Sequence, residues 1–347
     1  MLGHPPEAQL DEQKPKTATP SGAVAAMTGG LHDVLAPAGP QAAALSHLWW
    51  LTLAVCVLVF VAVLAALAYA VWRAPRGTKE TAPDLALIDR SEPRLRRWVT
   101  VGVAVSTVLL LGLLVASFFT DRELARLPLA DAVHIELTAH QFWWSARYGD
   151  AEPSRIFTTV NELHVPVGRP IVLTLRAADV IHSFWVPSLH GKKDLIPGRE
   201  STFAFRADRV GVYRGQCAEF CGMSHANMLL RLVVEPTDAF ERWVASGRGP
   251  ALQLPAGLAA DGAAVFAASA CVGCHTVRGV SSGVIGPDLT HFGRRATVGA
   301  GVLPNTVDNV AAWIRDPPRI KPGAKMPALG LTEAQARSIA VYLLSLE

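Results

Sequence analysis

Charge is scarce in this chain: Asp, Glu, Lys and Arg make up 18% of its 347 residues, and the formal net charge is only +3. So small an excess, with no Lys/Arg-rich run interleaved with aromatics in the soluble part, argues against a nucleic-acid partner. Cysteine is also rare, five in all. Four form two close pairs, Cys217/Cys221 and Cys271/Cys274, and Cys56 stands alone, which does not read as a disulfide framework. The pairs point to metal or haem chemistry. Cys56, inside an apolar run, is expected to be a small buried hydrophobe. No basic-then-apolar leader precedes Ser46, so a cleavable signal peptide is not expected. Residues 1–41, rich in Pro, Ala, Gly and Thr and without hydrophobic periodicity, read as a flexible N-terminal tail.

Two stretches lack charge altogether. Residues 48–71 carry Trp49 and Trp50 at one end and Tyr69 and Trp72 at the other, the placement of interfacial belts. Residues 98–120 form the second run, closed by Asp121, Arg122 and Glu123. Each is long enough to cross a bilayer core as a helix, so residues 42–121 read as a transmembrane hairpin. The connecting loop, 73–97, holds Arg73, Arg76, Lys79, Arg90, Arg94, Arg96 and Arg97, against only Lys14 and Lys16 in the tail. The positive-inside rule therefore puts the loop in the cytoplasm and both termini on the opposite side.

The pattern then changes. From residue 131 to 246, short alternating segments such as Val133–Thr138, Pro170–Arg176, Thr202–Arg206 and Met228–Val234 are separated by Gly, Pro and Asp, predicting an antiparallel β-sandwich or barrel followed by a short helix from Asp238. Residues 247–257, rich in Gly and Pro, read as a linker to a last domain at 258–347. Half the residues are hydrophobic, and the chain is long enough for two or three domains.

Within the β region, Gln216 to Met228 concentrates metal ligands: Cys217, Cys221, His225 and Met228. A structural zinc site would favour a closed Cys/His tetrahedron and has no use for a thioether, so Met228 tilts this soft donor set towards copper. A further imidazole should come from a neighbouring strand, and His182 is the candidate. Two thiols exceed the needs of a mononuclear site but could bridge two copper ions.

Three segments, His182-Ser-Phe-Trp-Val-Pro187, Lys193-Asp-Leu-Ile-Pro-Gly-Arg199 and the Cys217–Met228 loop, resemble the copper A domain of cytochrome c oxidase subunit II. The resemblance implies a cupredoxin-like Greek-key barrel in which Cys217 and Cys221 bridge two coppers, His182 and His225 bind one each, Met228 is a weak ligand and Glu219 contributes its backbone carbonyl. It also implies a magnesium ion at the Glu219 side chain, near the next subunit. His140-Gln-Phe-Trp-Trp144 resembles the aromatic stretch through which the family receives electrons from soluble cytochrome c, with Phe142 where Trp is common. Trp143 and Trp144 are further contributors by position, and His134, His164 and His190 are given no role. The Glu that relatives place just before the second span is missing: Leu95-Arg-Arg-Trp-Val99 stands there and Glu92 does not match, so no proton-path residue is assigned.

Cys271-Val-Gly-Cys-His275 is the C-x-x-C-H haem-attachment signature, with Cys271 and Cys274 adding to the haem vinyls and His275 as one axial ligand. Met326 and His291 compete for the other axial position. Gly286-Pro-Asp-Leu289 and the Pro322–Pro327 loop resemble class I cytochrome c, which favours Met326 and an all-α fold for this domain. A helix from Thr332 to Ser345, capped by Thr332, should follow.

Together these resemblances imply a multidomain membrane protein of the haem-copper oxidase family. In it, haem c accepts electrons from an external cytochrome c or another donor, and copper A passes them to the oxygen-reducing centre of subunit I in a proton-pumping complex. No oxygen-activating residue is assigned to this chain. Subunit III and membrane lipid are further expected partners, and a bacterial inner membrane with both redox domains outside the cytoplasm is the expected location. A copper-delivery protein, a quinol oxidase subunit and the copper A subunit of a nitrous or nitric oxide reductase are the alternatives. The haem motif, the copper ligands and the membrane hairpin weigh against them in turn.

Overall fold

The structure, a computed structural model, describes residues 32–74, 93–251 and 257–347. The expected tail up to residue 31, the loop cations Arg76, Lys79 and Arg90 together with Glu92, and linker residues 252–256 lie outside the described residues.

Helices α1 (Pro40–Arg73) and α2 (Pro93–Leu124) are both long and apolar enough to cross a membrane. At 1.5 Å per residue, 34 residues extend about 50 Å, more than a hydrocarbon core of about 30 Å. Val, Leu and Phe side chains stand exposed along both helices, so neither is the core helix of a soluble fold. Cys56 is exposed, contrary to the expectation of burial, because no protein layer among the described residues covers that part of α1.

A second correction concerns residues 32–41, expected to be flexible. They run along the β domain instead: Ala38 N donates to Ser188 O at 2.7 Å, Asp208 N donates to Ala38 O at 2.7 Å, and Ala38 and Gln41 are buried. Small residues let this segment sit close to the sheet edge, where its backbone groups find partners.

The β domain comprises β1 (Val133–His140), β2 (Trp143–Tyr148), β3 (Phe157–Val160), β4 (Glu162–Pro166), β5 (Pro170–Ala177), β6 (His182–Trp185), β7 (Lys193–Leu195), β8 (Ser201–Arg206), β9 (Gly211–Cys217) and β10 (Leu229–Glu235). Two five-stranded sheets, ordered β3-β2-β1-β5-β8 and β4-β10-β9-β6-β7, form a cupredoxin-like sandwich or half-barrel. The pairing is not wholly antiparallel as expected: β1–β5 and β4–β10 are parallel. The chain leaves the first sheet at β3, enters the second at β4 and returns at β5, which sets those strands in the same direction.

Alternation along the strands supplies the core. Ile135, Leu137 and Ala139 face inward from β1, and Leu230, Leu232 and Val234 from β10. Trp144 is fully buried and meets Phe184 edge-on at 6.4 Å. Each Ile, Leu, Val or Phe among them gains roughly 1.5–3 kcal/mol on leaving water. Helix α3 (Thr237–Arg248) closes one end, with Trp243 stacked on His164 at 4.1 Å and edge-on to Tyr148.

The last domain is helical: α4 (Leu258–Ala268), α5 (Cys271–Cys274), α6 (Val307–Arg315), α7 (Pro317–Ile320) and α8 (Glu333–Leu344). Phe266, Val310, Ile314, Ile339 and Leu343 share its core. Thr332 caps α8 as expected, in a reciprocal capping box with Gln335. This domain grips the carbonyl end of α3: Arg278 Nη1 donates to Arg248 O and Gly249 O at 2.5 and 2.6 Å. A buried carboxylate on β4, Glu162, accepts from Ala296 N at 2.8 Å.

Candidate metal and haem centre

The copper-type donors come from two neighbouring strands and the loop that follows. Cys217 ends β9, and in the sheet it lies opposite Phe184 of β6, which brings His182 at the start of β6 alongside. Beyond Cys217 the chain turns through Cys221 and a single helical turn, His225–Asn227, then returns at Met228, whose carbonyl accepts from Cys217 N at 3.0 Å. The loop is thus closed on itself. Gly222, at φ +129°, is required there, since a Cβ would meet the Gln141 amide and the Phe142 ring at 3.1 Å.

Sulfur and nitrogen donors converge: Cys217 Sγ lies 3.9 Å from Cys221 Sγ and 3.8 Å from His182 Nδ1, and Cys221 Sγ lies 3.6 Å from His225 Nδ1 and 4.0 Å from Met228 Sδ. The cluster is buried, with His182, Cys217, Cys221 and Met228 all inside. The Cys221 thiol beside it draws the Cys217 pKa down, against burial and with help from His182, whereas Cys221 is pushed up by the same contact. Soft donors around a favoured thiolate, buried and facing one another, fit copper. Glu219 O is 3.2 Å from Cys217 Sγ, while the Glu219 carboxylate points away and pairs with Lys192 at 2.9 Å.

His182 is oriented from behind. Its Nε2 donates to Asp179 Oδ1 at 2.9 Å, which leaves Nδ1 towards the cysteines. Partial burial pushes the Asp179 carboxyl up, but hydrogen bonds from His182, the Gln141 and Val180 amides and Lys325 prevail and hold it well below the usual carboxylate range.

The haem-motif residues meet at a cavity of about 380 Å³, largely apolar, walled by Cys274, His275 and Met326. Cys271, one turn before Cys274, is buried in the helical core. His275 Nδ1 bonds to Pro287 O at 2.8 Å, so Nε2 remains for a ligand, and a Cβ at Gly286 would strike the imidazole at 2.6 Å. The Gly286-Pro287 pair therefore both clears space for the ring and fixes it. A concave apolar space with an orienting imidazole and a thioether on its wall fits haem c. His291 lies elsewhere, its Nε2 3.2 Å from Gly247 O.

The two sites share a wall. The Gln141–Phe142 turn between β1 and β2 lines the haem cavity, and Gln141 Nε2 donates to Cys221 O at 2.6 Å. Trp143 also lines the cavity, stacked on His140 at 4.0 Å, whereas Trp144 belongs to the sandwich core with its ring 6.3 Å from His182. Of the histidines given no role, His164 stacks on Trp243, and His190 Nδ1 accepts from Gly191 N at 2.7 Å.

Sequence reading missed Asp179, Gln141, Ser224, Lys321 and Lys325. Asp179, three residues before His182, was the one with a local signal. Ser224, Lys321 and Lys325 act across domains, and Gln141 meets Cys221 from 80 residues away, so spacing along the chain carries no information.

Comparison with known proteins agrees with this geometry. Residues 150–236 match the cytochrome c oxidase subunit II periplasmic-domain family and residues 259–347 the cytochrome c family. The chain is 36% identical over 252 residues to cytochrome c oxidase subunit 2 of Alkalihalophilus pseudofirmus, covering 72% of each chain. It is 33% identical over 269 residues to cytochrome c oxidase subunit 2 of Bacillus sp. strain PS3, covering 71% of this chain and 73% of the relative. With two long apolar helices, a copper A-type His/Cys/Met site and a fused cytochrome c domain, this chain belongs to the cytochrome c oxidase subunit II family, the electron-transfer subunit of a haem-copper oxidase complex.

Proposed function

We propose that this chain takes electrons at a haem c held by Cys271, Cys274, His275 and Met326 and relays them to a dinuclear copper centre held by His182, Cys217, Cys221, His225, Met228 and the Glu219 carbonyl. The observation that carries this reading is the shared wall: one turn, Gln141–Phe142, bonds to the copper loop and lines the haem cavity. When bound, the two groups supply one-electron carriers of adjustable potential.

The residues divide the work. Cys217 and Cys221 would hold the metal and offset its charge, and the buried, closed loop would limit how far the donors move when that charge changes. Asp179 fixes the His182 tautomer, and Pro287 O does the same for His275. A thioether at Met326 favours a higher haem potential than a second imidazole would. Val284 and Ile285, 86% and 76% exposed beside the haem cavity, offer an external cytochrome or other donor an apolar landing point. On the far side, electrons leave towards subunit I, with subunit III completing the assembly. A magnesium ion at Glu219 would take the place of Lys192 as partner of that carboxylate.

The hairpin anchors both centres outside the cytoplasm of a bacterial inner membrane, with the basic loop inside. Domain limits near 131, 246 and 258 follow from the same division. Electron paramagnetic resonance with metal and haem analysis on the purified full-length chain tests the relay. Two coppers with a spectrum delocalised over both nuclei, and one covalent haem, are expected; a four-line mononuclear signal, or zinc, would sink the dinuclear assignment.

A further inference from the structure

The loop that carries Met326 is fastened to the copper domain at three points. Lys321, 3% exposed, donates from Nζ to Phe142 O and to Gly299 O, each at 2.7 Å, so one ammonium joins a carbonyl of the β domain to a carbonyl of the helical domain. Ser224, adjacent to His225, donates from Oγ to Pro322 O at 2.6 Å. Lys325, adjacent to Met326, donates to Asp179 Oδ2 at 3.0 Å, and the other oxygen of that carboxylate holds His182.

The three fastenings differ in kind. The Lys325–Asp179 pair is half open to water, since Lys325 is 63% exposed, and an ion pair of that sort contributes little. Lys321 is the opposite case. A lysine is rarely buried without a carboxylate partner, and this one has two carbonyls instead, one from each domain. Docking takes this nitrogen out of water, and the two carbonyls offset that cost only where both stand within reach, so a misaligned interface would leave a buried nitrogen short of a partner. Close by, Leu229 N donates to Ala300 O at 3.1 Å, a backbone bond across the same interface.

We propose that Lys321 is a positioning residue that docks the haem cavity onto the copper loop through Phe142 and Gly299, so that the two cofactors exchange electrons within one fixed unit and not through repeated encounters of tethered domains. The proposal rests on the relay reading for its electron-transfer consequence, and on the interface alone for its structural one. A tether by itself raises effective concentration but leaves a search to be made at each turnover. A docked interface removes the search.

The test uses the full-length chain in detergent, with copper and haem content measured first. Two quantities are read: the rate of haem-to-copper transfer after rapid photoreduction of the haem, at increasing sucrose concentration, and hydrogen exchange at the Leu229 amide. In the unmodified protein the rate should be independent of viscosity and the amide protected. Lys321→Met should speed exchange at Leu229 by roughly tenfold or more, the equilibrium weight of a lost hydrogen bond to a charged group, and should slow transfer and make it viscosity-dependent, with haem and copper spectra unchanged. Lys321→Arg should restore part of both.

Unchanged rate and exchange in Lys321→Met would overturn the role of Lys321, and a viscosity-dependent rate in the unmodified chain would overturn docking itself. Should Lys321→Met fail to fold, the unmodified chain's viscosity profile still decides between docking and search. Missing copper or haem would count against the relay reading, while exchange at Leu229 would go on testing the interface.

Discussion

The two redox sites are built in opposite ways. Around the copper-type cluster the protein is complete by itself: Cys217, Cys221, His225 and Met228 already stand 3.6–4.0 Å from a neighbouring donor, held by a closed loop, by Asp179 and by the sandwich beneath. The haem-motif residues instead face a space of about 380 Å³ whose wall the β domain completes through His140–Trp143. A site made of donors needs only a small ion to finish it, so its scaffold can be stable beforehand. A site made of a hollow depends on its guest for packing.

That contrast can be broken most sharply by removing the haem. A chain with Cys271→Ala and Cys274→Ala should lose much of the stability of its helical domain. Without its guest the largely apolar wall of this space faces water, and the burial that should hold the helical domain together is lost. Thermal unfolding followed by circular dichroism should show an early helical transition with the β domain's transition unmoved, and copper analysis should still find two ions per chain. Loss of copper in the same variant would mean that the copper site is not self-sufficient.

A smaller effect sharpens the other side of the comparison. Asp179→Ala removes the acceptor that orients His182, and such outer partners are worth about 10–100-fold in metal affinity. Competition with a copper chelator should show a loss in that range, with the haem spectrum unaltered. The smallest effect concerns local stability. Thr332→Ala deletes the capping box of α8 and should cost about 1 kcal/mol, read as a lower melting point of the helical domain alone.

Much of the centre was legible along the chain because its chemistry is local. The soft donors from Cys217 to Met228 are packed into one loop, and Cys271 to His275 lie on a single turn, so spacing alone announces them. Thr332 is likewise a local signal and caps its helix as expected. The failures share a cause. Residues 32–41 read as loose because small residues carry no periodicity, yet their backbone is held by Ser188 and Asp208, far along the chain. Cys56 reads as buried because its neighbours are apolar, but burial depends on what covers a helix.

The sequence by itself determined the ligand types, the order of hairpin, β domain and helical domain, and the family, because each is written in contiguous residues whose chemistry does not wait for folding. Tertiary structure alone decided which residues stand between the sites. Nothing local marks Ser224 as the partner of Pro322, or Lys321 as the link from Phe142 to Gly299. Those contacts exist only once two separately folded units press one face of each together, and desolvation of their polar groups at that face makes each bond matter.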